Sequence, residues 1–565
     1  MKKLTKQGYN KKDYISHGNM FLLGNGKYGY RGTLEEYPSS MMVNLNVVGF
    51  YDRYLDKWRE PINLPNPFYL FIENNNVLEN TPINHYVSLD IENALWNRHS
   101  EFEDVTIDSI RFVSNDDKDL LVEKIIITPK KDKIHFVLGT EKDISEINGP
   151  HFVNKQFSYI DNHISFIGTT NENKKISTLT TYECDIPLNK EENEHFILFS
   201  GDIENKTEIY IYCRINQLGN LINNEHFDFE SILDKHKRAF NKRWELSNVD
   251  IIGDEEADFE IKYSIYHLLI LQDENSFKSI PARGVSGQTY KGAVFWDTEM
   301  FIIPFLLLTN PTMAKNCLIY RINTLEGAKK KAQELGYKGA FYAWESQEDG
   351  TEQCTKYSVT DPITNKPIRT YFNEKQIHIS GDIPLAIDKY IRFTNDYSIL
   401  DLGANKVILE CARFFASYAT KLDDGLYHLL DVIGPDEYHE RIDDNAFTNY
   451  VAYLTCLLAI KYCQNVDQDI IDFKNNIYLP TPNENKIIEQ FKGYFSLEDV
   501  GPNIVKSRVK SKNEYLGGKL GPAYKTKTIK QADVITLLAI KPELFDKEVL
   551  INNYNYYLQF TEHGS

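Results

Sequence analysis

The sequence predicts an α+β chain of several domains, with a large antiparallel β domain first and a helical domain after it. Three observations support this class. Up to about residue 228 the chain runs in short segments rich in Val, Ile, Tyr and Phe, separated by Asn, Asp, Gly and Lys turns. Near Phe229 the period changes to that of a charged amphipathic helix. Beyond about Asp254, apolar residues recur with helical spacing, and the 565 residues are long enough for both domains.

The β-type segments have the β-branched and aromatic composition that strands favour, and their spacing is typical of antiparallel pairing. The clearest are residues 124–128, 133–138, 163–167 and 208–213. We therefore predict an N-terminal β domain over residues 1–228, a helical linker over 229–254 and a helical domain over 255–565.

In the helical part, segments with one apolar face alternate with long glycine-containing loops. Serial helices joined in this way are typical of an α/α barrel or a solenoid. No fixed repeat of 20–50 residues is evident, which favours the barrel. The predicted helices are 257–271, 383–393, 407–422, 445–464 and 533–540, and residues 466–513 are predicted as mixed helix and loop.

Composition excludes several classes of protein. The net charge of −18 argues against a general nucleic-acid binder, which needs basic residues to neutralise phosphates. The N-terminus lacks a secretory signal, and no apolar stretch is long enough to span a bilayer. The 7 cysteines are far apart and form no CxxC motif, which fits reduced thiols. We expect a cytoplasmic protein that binds neither membrane nor nucleic acid.

Gly24, Gly26 and Gly29 spell the G-x-G-x-x-G pattern of dinucleotide-binding folds. That pattern requires a parallel strand before it, a helix after it and an acidic residue about 20 positions further on. Here it is followed by more β-type sequence, so we interpret it as a turn of the β domain.

The densest group of chemically active side chains lies in DVIGPDEYHERIDDNAFTNY, residues 431–450. One interpretation is that these acidic residues do no more than cap the following helix and match its dipole. Crowded carboxylates also raise one another's pKa, as a general acid at neutral pH requires. The residues concerned are Asp436, Glu437, His439, Glu440, Asp443 and Asp444.

Two further groups suit the binding of a sugar. Trp296, Asp297 and Glu299 place an aromatic ring beside acidic acceptors, and pyranose rings combine apolar faces with hydroxyl edges. Buried aromatic residues at a helix start would give the same pattern. Lys530 and Gln531 are predicted to open the apolar helix 533–540. The chain ends in His563, Gly564 and Ser565, which could donate hydrogen bonds to an oxyanion, although this signal is weak.

Taken together, these motifs resemble glycoside hydrolase family 65, whose members include inverting phosphorylases of maltose, kojibiose, nigerose and trehalose. The resemblance runs nearly end to end. It rests on FLLGNGKYGYRG (21–32), ARGVSGQTYKGAVFWDTEMF (282–301), KQIHISGDI (375–383), GPDEYHE (434–440) and KQADV (530–534), which occur in the order of the family.

The resemblance implies a β-sandwich, a helical linker and an (α/α)6 barrel that holds the active site. It also implies further barrel helices and a small β domain after Ser565, so the barrel as given is expected to be incomplete. On that basis we expect weak phosphate binding by this chain alone, and recovery when the missing part is supplied.

The resemblance also implies roles for particular residues. Glu437 matches the general acid, and Trp296 and Asp297 match residues that bind the non-reducing glucose. Lys530 and Gln531 match residues that contact its other hydroxyls. His563, Gly564 and Ser565 match a family segment that helps to bind phosphate. Arg283 is a further candidate of our own, because phosphate needs a local group of hydrogen-bond donors on this acidic chain.

The reaction so implied is inverting phosphorolysis of an α-glucosyl disaccharide, which yields β-glucose 1-phosphate and a free acceptor sugar. Phosphate is the co-substrate, and no metal or organic cofactor is expected. A homodimer is expected by analogy with the family. Two alternatives stay open: an inverting hydrolase with Glu562 as the base, and an inactive sugar-binding subunit. The choice of acceptor is expected to depend on residues 343–353 and 375–382.

Overall fold

The computed structural model describes residues 3–131, 133–220, 225–357, 359–362 and 364–562. The chain divides into two compact units. The first comprises Met1–Ala293 with Leu308–Met313, and the second comprises Val294–Leu307 with Ala314–Ser565. The first unit is a β-sandwich domain and the second is helical. The domain boundaries predicted at residues 228 and 254 remain predictions.

The first unit is built from antiparallel strands, and all four predicted β segments lie in strands. In the described residues they are β1 Lys3–Gln7, β2 Leu23–Gly24, β3 Tyr28–Tyr30, β4 Leu45–Arg53, β5 Arg59–Leu64, β6 Tyr69–Phe71, β7 Asn84–Asp90, β8 Leu95–Glu101, β9 Val105–Val113, β10 Leu120–Pro129, β11 Ile134–Glu141, β12 Phe152–Ile160, β13 His163–Thr170, β14 Lys175–Cys184, β15 Asn189–Glu192, β16 Phe196–Ile203 and β17 Thr207–Asn216.

Three sheets form this domain. A nine-stranded sheet has the order β1-β7-β8-β9-β10-β17-β14-β13-β12, and two four-stranded sheets have the orders β15-β16-β11-β6 and β2-β3-β4-β5. At the centre of the large sheet, Val122 of β10 is paired with Tyr212 of β17. Burial alternates along β13, as expected of a strand with one buried face.

The first unit also contains helices α1 Tyr14–Met20, α2 Phe229–Ser247 and α3 Glu255–Leu269. The predicted helix after residue 229 is thus confirmed as α2. Asp228 caps it by accepting a hydrogen bond from the Ser231 amide. Phe229 and Leu233 pack into a cluster with Leu120 and Val122 of the large sheet, so α2 completes the core of that domain.

The glycine pattern at residues 24–29 is a hairpin between β2 and β3, as predicted. Its glycines are required by close backbone approach. A Cβ on Gly29 would lie 1.9 Å from the Val285 carbonyl oxygen, and one on Gly26, where φ is +85°, would lie 2.5 Å from the Gln272 carbonyl carbon.

A completely buried ion-pair group in the sandwich centres on His151. His151 lies between two carboxylates, with Nδ1 3.1 Å from Asp52 and Nε2 3.0 Å from Glu60. Burial alone would lower the pKa of His151, but the hydrogen bonds to Asp52 and Glu60 outweigh burial and raise it to about 9.

From residue 303 onward the described chain is mainly helical. The α-helices are α4 Ile303–Thr309, α5 Pro311–Asn323, α6 Leu325–Glu334, α7 Phe372–Lys375, α8 Ile379–Thr394, α9 Asn405–Tyr418, α10 Ala446–Tyr462, α11 Gln468–Asn476, α12 Pro502–Ser507, α13 Asp533–Ile540 and α14 Lys547–Leu558. Two short hairpins, β18 Val359–Thr360 with β19 Pro367–Ile368 and β20 Thr420–Lys421 with β21 Tyr427–His428, lie in the connections.

Helix α10 is the centre of this unit. It packs against α8, α9 and α13, and α13 packs against α14. Being covered on several sides, α10 is apolar nearly all round rather than along one stripe. The five helices predicted from the sequence are confirmed as α3, α8, α9, α10 and α13, with ends that differ by a few residues.

Among the described helices, the sequence analysis missed α1, α4, α5, α6, α7 and α14. Pro311 at the start of α5 is a helix-start signal that we overlooked. Within the described ranges, no helix has both the length and the apolar composition to cross a membrane.

Candidate active site

The acidic segment around residue 436 is a loop that precedes α10, as predicted, and Asn445 caps the helix by accepting from the Thr448 amide. Asp436 organises the loop. Its Oδ1 accepts from the Tyr438 amide at 3.2 Å and from the Lys530 amide at 2.9 Å. Its Oδ2 lies 2.6 Å from His439 Nδ1. These bonds join two segments that are more than 90 residues apart in sequence.

Asp533, the first residue of α13, completes this join. It accepts from the Asp436 amide at 2.7 Å and from the Asn445 side chain at 2.7 Å. Burial raises the pKa of Asp533 far above its ordinary value, and the charge of Asp436 adds to the effect. The start of α10 and the start of α13 are therefore held together by buried polar groups.

Glu437 is half-buried and lies against the segment before α13. Lys530 Nζ is 2.9 Å from Glu437 Oε2, and the Glu437 amide donates to Gln531 Oε1 at 3.3 Å. The Tyr515 hydroxyl donates to the Glu437 carbonyl oxygen at 2.9 Å. The structure thus brings together three of the residues that the sequence analysis selected. Lys530 and Gln531 lie in the loop before α13 rather than within it.

Asp297 lies within electrostatic range of Glu437. Burial is the main cause that raises the pKa of Asp297 above its ordinary value, and the negative charges of Glu299 and Glu437 raise it further. Trp296, beside it in sequence, is buried against His378 and Phe447, with ring centroids 4.9 and 6.0 Å away. The charge of Glu437 thus reaches Asp297, and the roles of Glu437, Trp296 and Asp297 in one site stay a prediction.

The expectation that Glu299 is a second sugar acceptor is wrong. Glu299 is completely buried in a two-pronged ion pair with Arg321, with N–O distances of 2.7 and 2.8 Å. Arg321 also donates to the Phe295 carbonyl at 3.0 Å. This pair holds the segment that carries Trp296 and Asp297, and it engages both carboxylate oxygens of Glu299.

Crowding is not the cause of the pKa shifts of two carboxylates in this segment, Asp431 and Glu440. Burial favours a higher pKa for Asp431, but Arg441 and Lys375 outweigh burial and lower it. The pKa of Glu440 is raised by burial, not by its neighbours. Glu440 accepts from the Lys519 amide at 3.2 Å and lines a cavity of about 950 Å3 together with Tyr515.

Glu562, the base of the alternative hydrolase reaction, is already engaged. It accepts a short hydrogen bond from the Tyr438 hydroxyl, and Lys506 Nζ lies 2.6 Å from its other oxygen. Burial favours a higher pKa for Glu562, but Lys506 and Tyr438 outweigh burial and lower it. A carboxylate held in this way is a weak base for activating water.

Comparisons with known proteins agree with this arrangement. Residues 262–565 match the glycosyl hydrolase family 65 central catalytic domain. Residues 4–211 match the N-terminal domain of the same family. The chain belongs to glycoside hydrolase family 65.

Similar members of family 65 are phosphorylases by name. Nigerose phosphorylase of Lachnoclostridium phytofermentans is 39% identical, over 100% of this chain and 84% of its own length. Kojibiose phosphorylase of Caldanaerobacter subterraneus is 31% identical, over 99% of this chain and 81% of its own. A solved structure described as a candidate kojibiose phosphorylase from the human microbiome has a TM-score of 0.84 at 20% identity. It covers 100% of this chain and 81% of that one, and shows the same fold.

The four predicted phosphate ligands stay predictions. Arg283 is an exposed residue of the first unit. His563, Gly564 and Ser565 lie outside the described residues.

The family 65 site contains residues that sequence reasoning missed. Tyr515 follows a segment without a clear pattern, and no signal in the sequence indicates its contact with Glu437. His378 and Asp382 lie in the KQIHISGDI motif, where the sequence analysis expected determinants of the acceptor but named neither residue. Their i, i+4 spacing at the start of α8 was a signal that could have found them.

Proposed function

We propose that this chain catalyses inverting phosphorolysis of an α-glucosyl disaccharide, with Glu437 as the general acid and phosphate as the nucleophile. The products are β-glucose 1-phosphate and a free acceptor sugar. The names of its relatives support a disaccharide phosphorylase. The proposal includes phosphate as co-substrate and requires no metal or organic cofactor.

The observation that carries the proposal is the position of Glu437. Its carboxylate lies 2.9 Å from the Lys530 ammonium and within electrostatic range of Asp297. An inverting glycosidase needs a carboxylic acid on the leaving-group side and a base for water on the other side. A phosphorylase needs only the acid, because phosphate is itself the nucleophile.

The contact between Lys530 and Glu437 defines the first step. A carboxyl group cannot donate a proton while it is held as a carboxylate in an ion pair. We therefore infer that the glucosyl hydroxyls accept the Lys530 hydrogen bond when the disaccharide binds, which releases Glu437 to carry a proton. Gln531 keeps its bond to the Glu437 amide, so the carboxyl group stays in place while its partner changes.

In the chemical step, Glu437 gives its proton to the glycosidic oxygen as the bond to the anomeric carbon breaks. A phosphate oxygen attacks that carbon from the opposite face, which converts an α-glucoside into a β-phosphate. Asp297 accepts hydrogen bonds from the glucosyl hydroxyls and fixes the ring. The hydrolase alternative is less well supported, because Glu562 is bonded to Tyr438 and Lys506.

For the substrate we propose a disaccharide of the nigerose, kojibiose or maltose type, with nigerose as the first to test. The relative that is 39% identical carries the name nigerose phosphorylase. The experiment is a screen of α-1,2, α-1,3, α-1,4 and α,α-1,1 glucobioses with phosphate, with β-glucose 1-phosphate as the measured product. Turnover of one linkage well above the rest would support the proposal, and turnover of none would contradict it.

A further inference from the structure

A buried histidine–aspartate pair lies next to the tryptophan of the site. His378 precedes helix α8, and Asp382 lies in the first turn of that helix. His378 Nδ1 and Asp382 Oδ2 are 2.7 Å apart, and both side chains are completely buried. Both residues lie in the segment 375–382 that we expect to affect the choice of acceptor, and neither has a role in the chemical step proposed above.

The outer atoms of this pair lack hydrogen bonds. Among the described residues, neither His378 Nε2 nor Asp382 Oδ1 has a partner, although both atoms are buried. A buried polar atom left unpaired destabilises a fold. Apolar side chains of similar size would therefore stabilise the fold at least as well. Stability alone does not explain the pair.

Aromatic rings surround the imidazole. The ring of His378 makes edge-to-face contacts with Trp296, Trp344 and Phe447, at centroid distances of 4.9, 5.7 and 5.4 Å. Edge-to-face contact is a favoured arrangement of aromatic rings and fixes the angle between them. The imidazole is thus suited to orienting these rings.

The two tryptophans belong to two sides of the predicted site. An antiparallel bridge joins Val294 to Ser346 through backbone bonds of 2.8 and 3.1 Å. Trp296 and Trp344 each lie two residues from this bridge, one on each of the two segments that it joins. Trp296 is predicted to bind the glucosyl unit, and Trp344 lies in the segment 343–353 that we expect to select the acceptor.

We propose that the His378–Asp382 pair is a positioning element that holds Trp296 and Trp344 in the orientations that the disaccharide requires. This inference rests on the proposed phosphorolysis. Asp382 fixes the imidazole through Nδ1, and the imidazole holds both indoles. The pair acts through the tryptophans and does not itself touch the sugar.

The main test replaces the whole pair with apolar groups, in the double variant His378→Phe/Asp382→Leu. Losing both polar partners together avoids leaving one charge buried and alone. We expect kcat/KM for the preferred glucobiose to fall by about 10- to 100-fold, because the sugar is held less well. The KM for phosphate should stay within about threefold, and the ratio of rates between linkages should change.

Two further variants sharpen the result. Asp382→Asn keeps the shape and removes the charge, and should show a smaller loss in the same direction. His428→Phe is the matched control. His428 makes a similar pair, with Nδ1 2.7 Å from Asp444 Oδ2, but it stacks on Tyr478. The His428→Phe variant should keep the wild-type ratio of rates between the glucobiose linkages.

A second measurement does not depend on turnover. Near-ultraviolet circular dichroism reports fixed tryptophan environments, and the pair variants should lose part of this signal while the control keeps it. Normal kinetics and a normal spectrum in the double variant would overturn the proposal. If that variant does not fold, wild-type values for Asp382→Asn in both assays would overturn it. A wild-type protein without phosphorolysis would refute the proposed function, and the spectra would still test the positioning.

Discussion

Replacing Glu437 with Gln tests the assignment of the general acid. Gln keeps the size of the side chain, and its amide oxygen can still accept from Lys530 Nζ, which is 2.9 Å from the carboxylate. The backbone bonds to Tyr515 and Gln531 do not depend on the side chain. Glucose binding should therefore change little, while the proton for the leaving group is lost.

The expected loss follows from the role of the proton. General acid catalysis contributes about 10²- to 10⁴-fold to the rate. At about 1.36 kcal/mol for each factor of ten, that is roughly 3–5.5 kcal/mol of activation free energy. The loss should appear in kcat for the disaccharide, with KM nearly unchanged, because the interaction is made only in the transition state.

The assay compares two substrates that differ in their leaving group. A disaccharide needs a proton on its glycosidic oxygen, whereas α-glucosyl fluoride releases fluoride without one. We expect Glu437→Gln to turn over α-glucosyl fluoride with phosphate at near the wild-type rate. The matched control is Glu440→Gln, which should lose less than about tenfold on both substrates. Equal losses on the two substrates in Glu437→Gln would refute the assignment.

The other predictions concern Asp297, Glu562 and His151. Asp297→Ala should raise the inhibition constant of glucose and weaken every glucobiose alike, by about 1–3 kcal/mol, because all share the glucosyl unit; a change in acceptor preference alone would place Asp297 elsewhere. Glu562→Gln should lower phosphorolysis by less than about tenfold, since the proposed reaction uses no second carboxylate; loss of all activity would instead favour the hydrolase alternative, in which Glu562 is the base. The raised pKa of His151 stabilises the fold fully below about pH 6.5, and this contribution is lost as the pH rises through about 9. The drop in Tm between pH 6.5 and 9.5 should therefore be smaller in His151→Gln than in wild type, and an equal drop would argue against a charged His151.

Much of the fold could be predicted because the signals are local. Strands such as β10 and β17 have a continuous β-type composition. Helix α2 begins where the spacing of apolar residues changes to that of a helix. Helix α14 has no comparable signal, because Asn and Tyr interrupt its apolar face. Its placement depends on packing against α13, which the sequence does not show.

The sequence could predict which residues belong to the candidate site, but not which of them form hydrogen bonds and ion pairs with one another. The motifs identified Glu437, Lys530 and Gln531, and the structure brings them together. Glu299 looked like a ligand for sugar because its partner, Arg321, lies 22 residues away in a segment without a motif. Local composition shows which groups carry charge, but only the fold shows which charges neutralise one another.

Phosphate dependence is the most direct test of the central claim. The preferred glucobiose is incubated with the protein, with and without phosphate, and the products are followed by phosphorus and proton magnetic resonance. The proposed reaction predicts β-glucose 1-phosphate and free acceptor in equal amounts with phosphate, and no cleavage without it. Release of free glucose at the same rate in both samples would contradict phosphorolysis, and α-glucose 1-phosphate as the first product would contradict inversion.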